Sequence, residues 1–202
     1  MLKNKEFVFV GCLVIGIGAY MSISKISEIY KNYDDDFFVP VLKFEKEQYK
    51  EALMGGDTFK GFYQVMNDYR GWKNTDLVKF YTGICLIKTK DYENGIGYLT
   101  NITLREPLME CKKHIFLGDT YTELNKYEEA IKYYQKATNI YTNDTDNVDA
   151  MYKIILCYEK MKKYNEALKV VREAIGKYPD MARYKDFIKK KTQLESIEEG
   201  NK

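Results

Sequence analysis

The sequence predicts an all-α solenoid of stacked helix pairs behind one apolar amino-terminal segment, and three observations predict it. A spaced pattern of small and aromatic residues recurs three times, at separations of 35 (Gly83 to Gly118) and 37 (Tyr121 to Tyr158) residues. Only three of the 202 residues are proline, so little interrupts long helices. An uncharged run, Phe7 to Ser24, stands apart from an otherwise charged chain.

In chain order, residues 1–6 form a short basic head with Lys3 and Lys5. Residues 7–24 are just long enough to cross the hydrocarbon core of a bilayer as a helix. A cleaved signal peptide is the alternative, but the apolar run exceeds the usual signal length and Ser22-Ile23-Ser24 is a weak cleavage site. An uncleaved transmembrane anchor is therefore the expectation. Lysines flank both sides, and their balance leans toward an inside amino terminus, with the rest of the chain translocated. Residues 25–36 read as a linker. Residues 37–71 read as a degenerate first helix pair. Phe38, Val41, Leu42, Tyr49, Ala52 and Leu53 follow helical spacing, Gly55-Gly56-Asp57 breaks the run, and Phe59 to Tyr69 continues it.

The three repeats follow, at 76–109, 111–144 and 148–181. Gly83-x2-Leu86 precedes Gly95-x3-Leu99 and Pro107. Leu117-Gly118-x2-Tyr121 precedes Ala130-x3-Tyr134. Ile154-Ile155-x2-Tyr158 precedes Ala167-x3-Val171 and Pro179. A small residue at the eighth position of a first helix lets the second helix approach, and a small residue at the twentieth returns the contact. Thr89-Lys90-Asp91, Leu124-Asn125-Lys126 and Met161-Lys162-Lys163 read as the turns between helices. This pattern resembles the tetratricopeptide repeat, a helix-turn-helix unit of about 34 residues. The resemblance implies a binding scaffold. Residues 182–202, with Lys189-Lys190-Lys191 followed by glutamates, read as a charged carboxy-terminal capping helix and tail. The array then holds about four helix pairs plus the cap.

Catalytic and metal chemistry finds little support. The single histidine, His114, falls at a packed repeat position, with no serine or cysteine placed to be its nucleophile. Cys12, Cys85, Cys111 and Cys157 form no C-x2-C pair, so no metal site, cofactor or disulfide framework is expected. The segment Asn143 to Asp149 lacks the glycine and terminal acid of a calcium loop; a lengthened turn with Asp146 or Asn147 as helix cap is expected instead. Basic and acidic residues nearly balance, 32 against 30, which argues against nucleic-acid binding. The expectation is a protein that is not an enzyme.

The second, fifth, ninth and twelfth positions of each first helix would line a groove. They hold Leu77, Phe80, Ile84 and Ile87, then Lys112, Ile115, Asp119 and Thr122, then Asp149, Tyr152, Leu156 and Glu159, with one apolar protein-binding stretch centred on Phe80, Ile84, Ile115, Tyr152 and Leu156. A neighbouring helix covering that face is the competing reading. Lysines and asparagines that clamp a terminal carboxylate in co-chaperone relatives are missing at these positions.

The stretch Ala52 to Asp57, Gly61-Phe62, Asp68 to Gly71 and Tyr81 to Ile84, within the whole layout, is similar to the YfgM-like family of ancillary SecYEG translocon subunits of Bacteroidetes-type bacteria. The resemblance implies a single-pass bacterial inner-membrane protein with its repeats in the periplasm. Its partners would be translocon subunits, a membrane-anchored chaperone and exported client proteins. A soluble periplasmic repeat protein that coordinates envelope assembly or cell division is the alternative.

Overall fold

Short turns, amphipathic spacing and small residues at contact positions give helices throughout. The computed structural model describes residues 25, 27–29, 31–71, 75–140 and 144–200. The expected anchor, Phe7 to Ser24, lies outside the described residues. Among the described residues no helix is long and apolar enough to cross a membrane.

The chain divides into two compact units, one ending at Thr89 and one beginning at Lys90. The first unit contains α1 (residues 31–45), α2 (Tyr49–Met54), α3 (Phe62–Asp68) and α4 (Thr75–Lys88). A two-stranded antiparallel hairpin, β1 (Gly55–Gly56) and β2 (Phe59–Lys60), joins α2 to α3, with Gly55 opposite Lys60. A Cβ on Gly61 would lie 2.2 Å from the Gly55 nitrogen, so the chain crosses itself here only because the side chain is missing.

Three expectations change in this region. The linker 25–36 is helical at every described position and runs into α1. The single helix expected from Phe38 to Leu53 is two helices, broken where Glu47 adopts φ 58°. There the Gln48 amide donates to the Lys43 carbonyl across 2.9 Å, the six-to-one bond of a Schellman helix end. Phe59, assigned by spacing to the second helix, lies in a strand.

The core of this unit is aromatic. Tyr81 stacks on Phe62 at 5.6 Å and meets Phe37 and Phe44 edge-on at 5.7 and 4.9 Å. Tyr33 meets Tyr69 edge-on at 5.1 Å. Such geometries add to the burial of the rings themselves. A polar knot closes the unit. Lys60 lies 2.8 Å from Asp36 and 2.7 Å from Asp68, while the Tyr69 hydroxyl donates to Asp36 across 2.8 Å.

The second unit contains α5 (Tyr92–Thr100), α6 (Pro107–Glu123), α7 (Tyr127–Ile140), α8 (Asp144–Lys160), α9 (Tyr164–Lys177) and α10 (Tyr184–Gly200). Pro107 opens α6 instead of closing the preceding repeat, since its missing N–H is no loss in a first turn. Asn125 and Lys162 repeat the Glu47 turn, each at φ 58° with a 2.9 Å six-to-one bond behind it. The tight joint expected at Gly118 is present: a Cβ there would lie 2.4 Å from the Tyr134 ring. Ala130, Ile131 and Tyr134 from α7 and Ala150, Ile154 and Cys157 from α8 form one buried cluster. Ile155, Ala167, Leu168, Val171, Phe187 and Leu194 belong to the next.

Helix α10 packs on α9 as α8 packs on α7, with Phe187 and Leu194 buried 37 residues after Ala150 and Cys157. At the positions where a following second helix would pack, it carries exposed Thr192 in place of Ile155 and part-exposed Glu195 in place of Tyr158. A polar outer face of this kind ends an apolar stack.

Candidate functional site

The groove positions of the second unit are held by charge pairs between successive first helices. Asp119 on α6 meets Lys153 on α8, with Nζ 2.7 Å from Oδ2. Lys112 on α6 faces Asp146 on α8 at 3.8 Å. Asp149 on α8 pairs with Arg183, just ahead of α10. Each partner is 34 residues from the other, three short of the 37-residue offset between the turns at Asn125 and Lys162, so each pair joins positions one helical turn out of register on successive first helices. A fourth pair, Glu159 with Lys190 at 2.9 Å, is the least exposed, both side chains below 20% accessible.

Between α6 and α8 these groups surround a cavity of about 150 Å³. Lys112, Asp119, Asp146, Asp149 and Lys153 supply its charges, and Ile115 and Phe116 its apolar wall. Asp119 does more than line it. Tyr134 donates its buried hydroxyl to Asp119 Oδ1 across 2.7 Å, so one carboxylate ties α7 and α8 to α6. Burial raises the Tyr134 pKa, with the Asp119 charge adding to it. Asp119 is thus a joint of the fold as well as groove lining. Asp146 and Asn147 are not helix caps, because α8 already begins at Asp144.

The residues expected to form an apolar groove divide differently. Phe80, Ile84 and Ile87 are buried, at 6%, 6% and 4% exposure. Those three therefore offer no open surface, and the apolar groove expected there is closed by packing. Ile115 borders the charged cavity. Tyr152 is half-buried, its ring 4.9 Å from the Arg183 guanidinium and edge-on to Phe187 at 5.9 Å. Leu156 is exposed at 38%. The face that remains accessible in the second unit is mixed in charge. Opposite charges at a spacing of 34, such as Lys112 with Asp146 and Asp119 with Lys153, were the available signal.

Among repeat positions, Gly83, Gly95, Gly118, Ala130, Tyr134 and Ala167 are buried, and Tyr121 and Tyr158 half-buried. Tyr121 stacks on Tyr133 at 5.3 Å, and Tyr133 stacks on His114 at 5.9 Å. Pro179 lies exposed in the turn before α10.

His114 belongs to a second cluster. The buried Lys113 ammonium donates to the Ile102 carbonyl across 2.8 Å and to Glu110 Oε1 across 2.6 Å. The Leu104 amide donates to Glu110 Oε2 across 2.8 Å, so this pair fastens the chain ahead of α6. Burial would raise the Glu110 pKa, but the bonds from Lys113 and Leu104 outweigh it and lower it. His114 Nε2 lies 3.3 Å from the same carboxylate, while Nδ1 is buried without a partner. Desolvation, then the Lys113 charge, lowers its pKa. Cys85, Cys111 and Cys157 are buried free thiols, and burial pushes Cys85 up to about 12. None is a ready nucleophile. Among the described residues, no group of three or more histidines, cysteines or carboxylates could hold a metal ion.

Helix pairs stacked in repeating register, with small residues at the joints and a charged face of first helices, define a tetratricopeptide-type solenoid. Comparison with known proteins agrees. Residues 121–190 match the model of the tetratricopeptide repeat family. Two solved structures of MamA are similar in fold. A MamA mutant aligns with TM-score 0.54 and 19% identity over 87% of this chain and 94% of that chain. MamA AMB-1 aligns with TM-score 0.53 and 18% identity over 87% of this chain and 94% of that chain. No curated protein sequence matches the chain.

Proposed function

We propose that this protein is a non-enzymatic scaffold that holds other proteins on the first-helix face of its repeats. The observation that carries the reading is the cavity between α6 and α8, which exposes aligned charges on a rigid, closely packed support. Buried thiols and a histidine engaged in packing give it no competing catalytic constellation. The apolar run Phe7 to Ser24 supports a membrane-anchored setting. The likeness of residues 52–84 to YfgM-like proteins supports a place beside the Sec translocon and periplasmic chaperones, with the repeats in the periplasm.

A photo-crosslinking amino acid at position 112, at the rim of the cavity, tests the binding face in cells. Capture of translocon or chaperone subunits there, and not from a crosslinker at exposed position 173 on α9, is the expected outcome. Equal capture from both positions would place binding elsewhere. Carbonate extraction tests the anchor separately. The protein should stay with membranes, whereas a soluble form beginning near residue 25 would favour the secreted alternative.

A further inference from the structure

We propose that Lys113, Glu110 and His114 form an acid-released latch on the segment that joins α5 to α6. The latch does not rest on the scaffold reading. Residues 101–106 form neither helix nor strand, yet Ile102 and Leu104 are buried. Among the described residues, 102–105 take part in no main-chain hydrogen bond outside the helices. Two side chains of α6 fasten the segment instead. The Lys113 ammonium donates to the Ile102 carbonyl, and the Leu104 amide donates to Glu110 Oε2, each across 2.8 Å. Lys113 and Glu110 then meet at 2.6 Å, so a single ion pair closes both fastenings.

His114 decides whether that pair stays closed. Its Nε2 faces Glu110 Oε1 at 3.3 Å, the same oxygen that holds Lys113. A carboxylate facing Nε2 fixes the ring proton there, so acid adds its proton at Nδ1. Nδ1 is buried and meets no acceptor. A charged group with an unpaired N–H is costly in such a place. The surrounding charges oppose it as well. On α6 the ring faces the Lys113 cation and the Glu110 carboxylate, and from α7 it faces the Lys136 cation and the Tyr133 ring. Arg105 and Glu106 of the joining segment lie exposed. Protonation therefore sets three cations, His114, Lys113 and Lys136, against one carboxylate. The least costly relief is for the Lys113–Glu110 pair to move into water, and the segment leaves with it. Ile102 and Leu104 then reach solvent, so acid adds apolar surface to the array.

Hydrogen exchange on the full chain in detergent micelles, corrected for the pH dependence of chemical exchange, tests the latch. Between about pH 7.5 and 5.5, protection within residues 101–106 should fall about three- to tenfold, as an imidazole of ordinary pKa near 6.5 in the opened state dictates. Urea below the unfolding transition should speed exchange in α9 far more than in 101–106, the mark of a local opening. His114→Phe and His114→Gln cannot take the proton and should keep the 101–106 protection at the lower pH. Constant protection in the wild type, or exchange in 101–106 as urea-dependent as in α9, would overturn the latch without recourse to a variant. A fall of the same size in either folded variant would assign the acid response to another group and overturn it too.

Discussion

The two units solve the same problem with different chemistry. From α6 to α10, successive first helices are tied by ion pairs at a constant spacing of 34 residues, over cores built on small residues and single large rings. From α1 to α4, no such period links the helices, and a cluster of stacked aromatics packs them instead. A regular repeat lets one geometric rule place every contact, so glycine, alanine and alternating charge suffice. An irregular unit must fill uneven space, and flat polarisable rings do so with few residues. The regular unit can therefore present a patterned face, while the irregular one spends its aromatics inside.

The sharpest break of this comparison is Phe62→Ala. Phe62 is fully buried against Tyr81 and Phe37, so a loss of about 3–5 kcal/mol is expected. Hydrogen exchange should show protection lost first within residues 31–88. Equal loss within 107–200 would mean that the aromatic cluster is not local to its unit. The counterpart is Gly118→Leu, which drives a side chain into the Tyr134 ring and should cost about 1–3 kcal/mol or more by denaturant unfolding. A neutral result would detach the repeat joint from the stability of its unit.

Smaller effects sharpen the charge side. Asp119→Ala removes the Lys153 pair and one Tyr134 hydrogen bond, but Tyr134 keeps Thr122 at 3.1 Å. About 1 kcal/mol is expected, since the pair is partly exposed. Raised salt should shrink the difference between wild type and Asp119→Ala, because screening weakens the intact pair. For His114, the folded pKa lies below the ordinary 6.5, so below pH 6.5 the unfolded chain takes up a proton that the folded one resists. Its contribution is fully present above pH 6.5 and is lost as pH falls through the lower folded value. His114→Phe, which keeps the stack on Tyr133, should flatten that decline in thermal melts as pH falls below 6.5.

The regular unit was the legible one. Gly118, Ala130, Tyr134 and Ala167 announce their contacts because the pattern repeats, and the turns at Asn125 and Lys162 fall where spacing puts them. The break at Glu47 was hidden, since a glutamate gives no sign of a left-handed turn that glycine would have marked. Phe59 satisfies helical spacing equally well in a strand two residues long. Of the residues assigned to the groove, Ile115 and Asp119 line the cavity of the second unit, while Phe80, Ile84 and Ile87 are buried. Periodicity identifies which residues share a face; it does not tell whether Phe80 and Ile84 remain open once neighbouring residues pack over them.

The left-handed turns have a consequence of their own. Glu47, Lys90, Asn125 and Lys162 hold φ of 58°, 73°, 58° and 58°, a conformation that opposes a side chain. Replacing Glu47 or Lys162 with glycine should stabilise the fold, by up to about 1 kcal/mol per site after the added freedom of the unfolded chain, read as a raised melting temperature. All four residues are exposed, so such changes leave the packed interior alone. The chain therefore carries unused thermal headroom at its bends, available to an engineer who never alters a core or cavity residue.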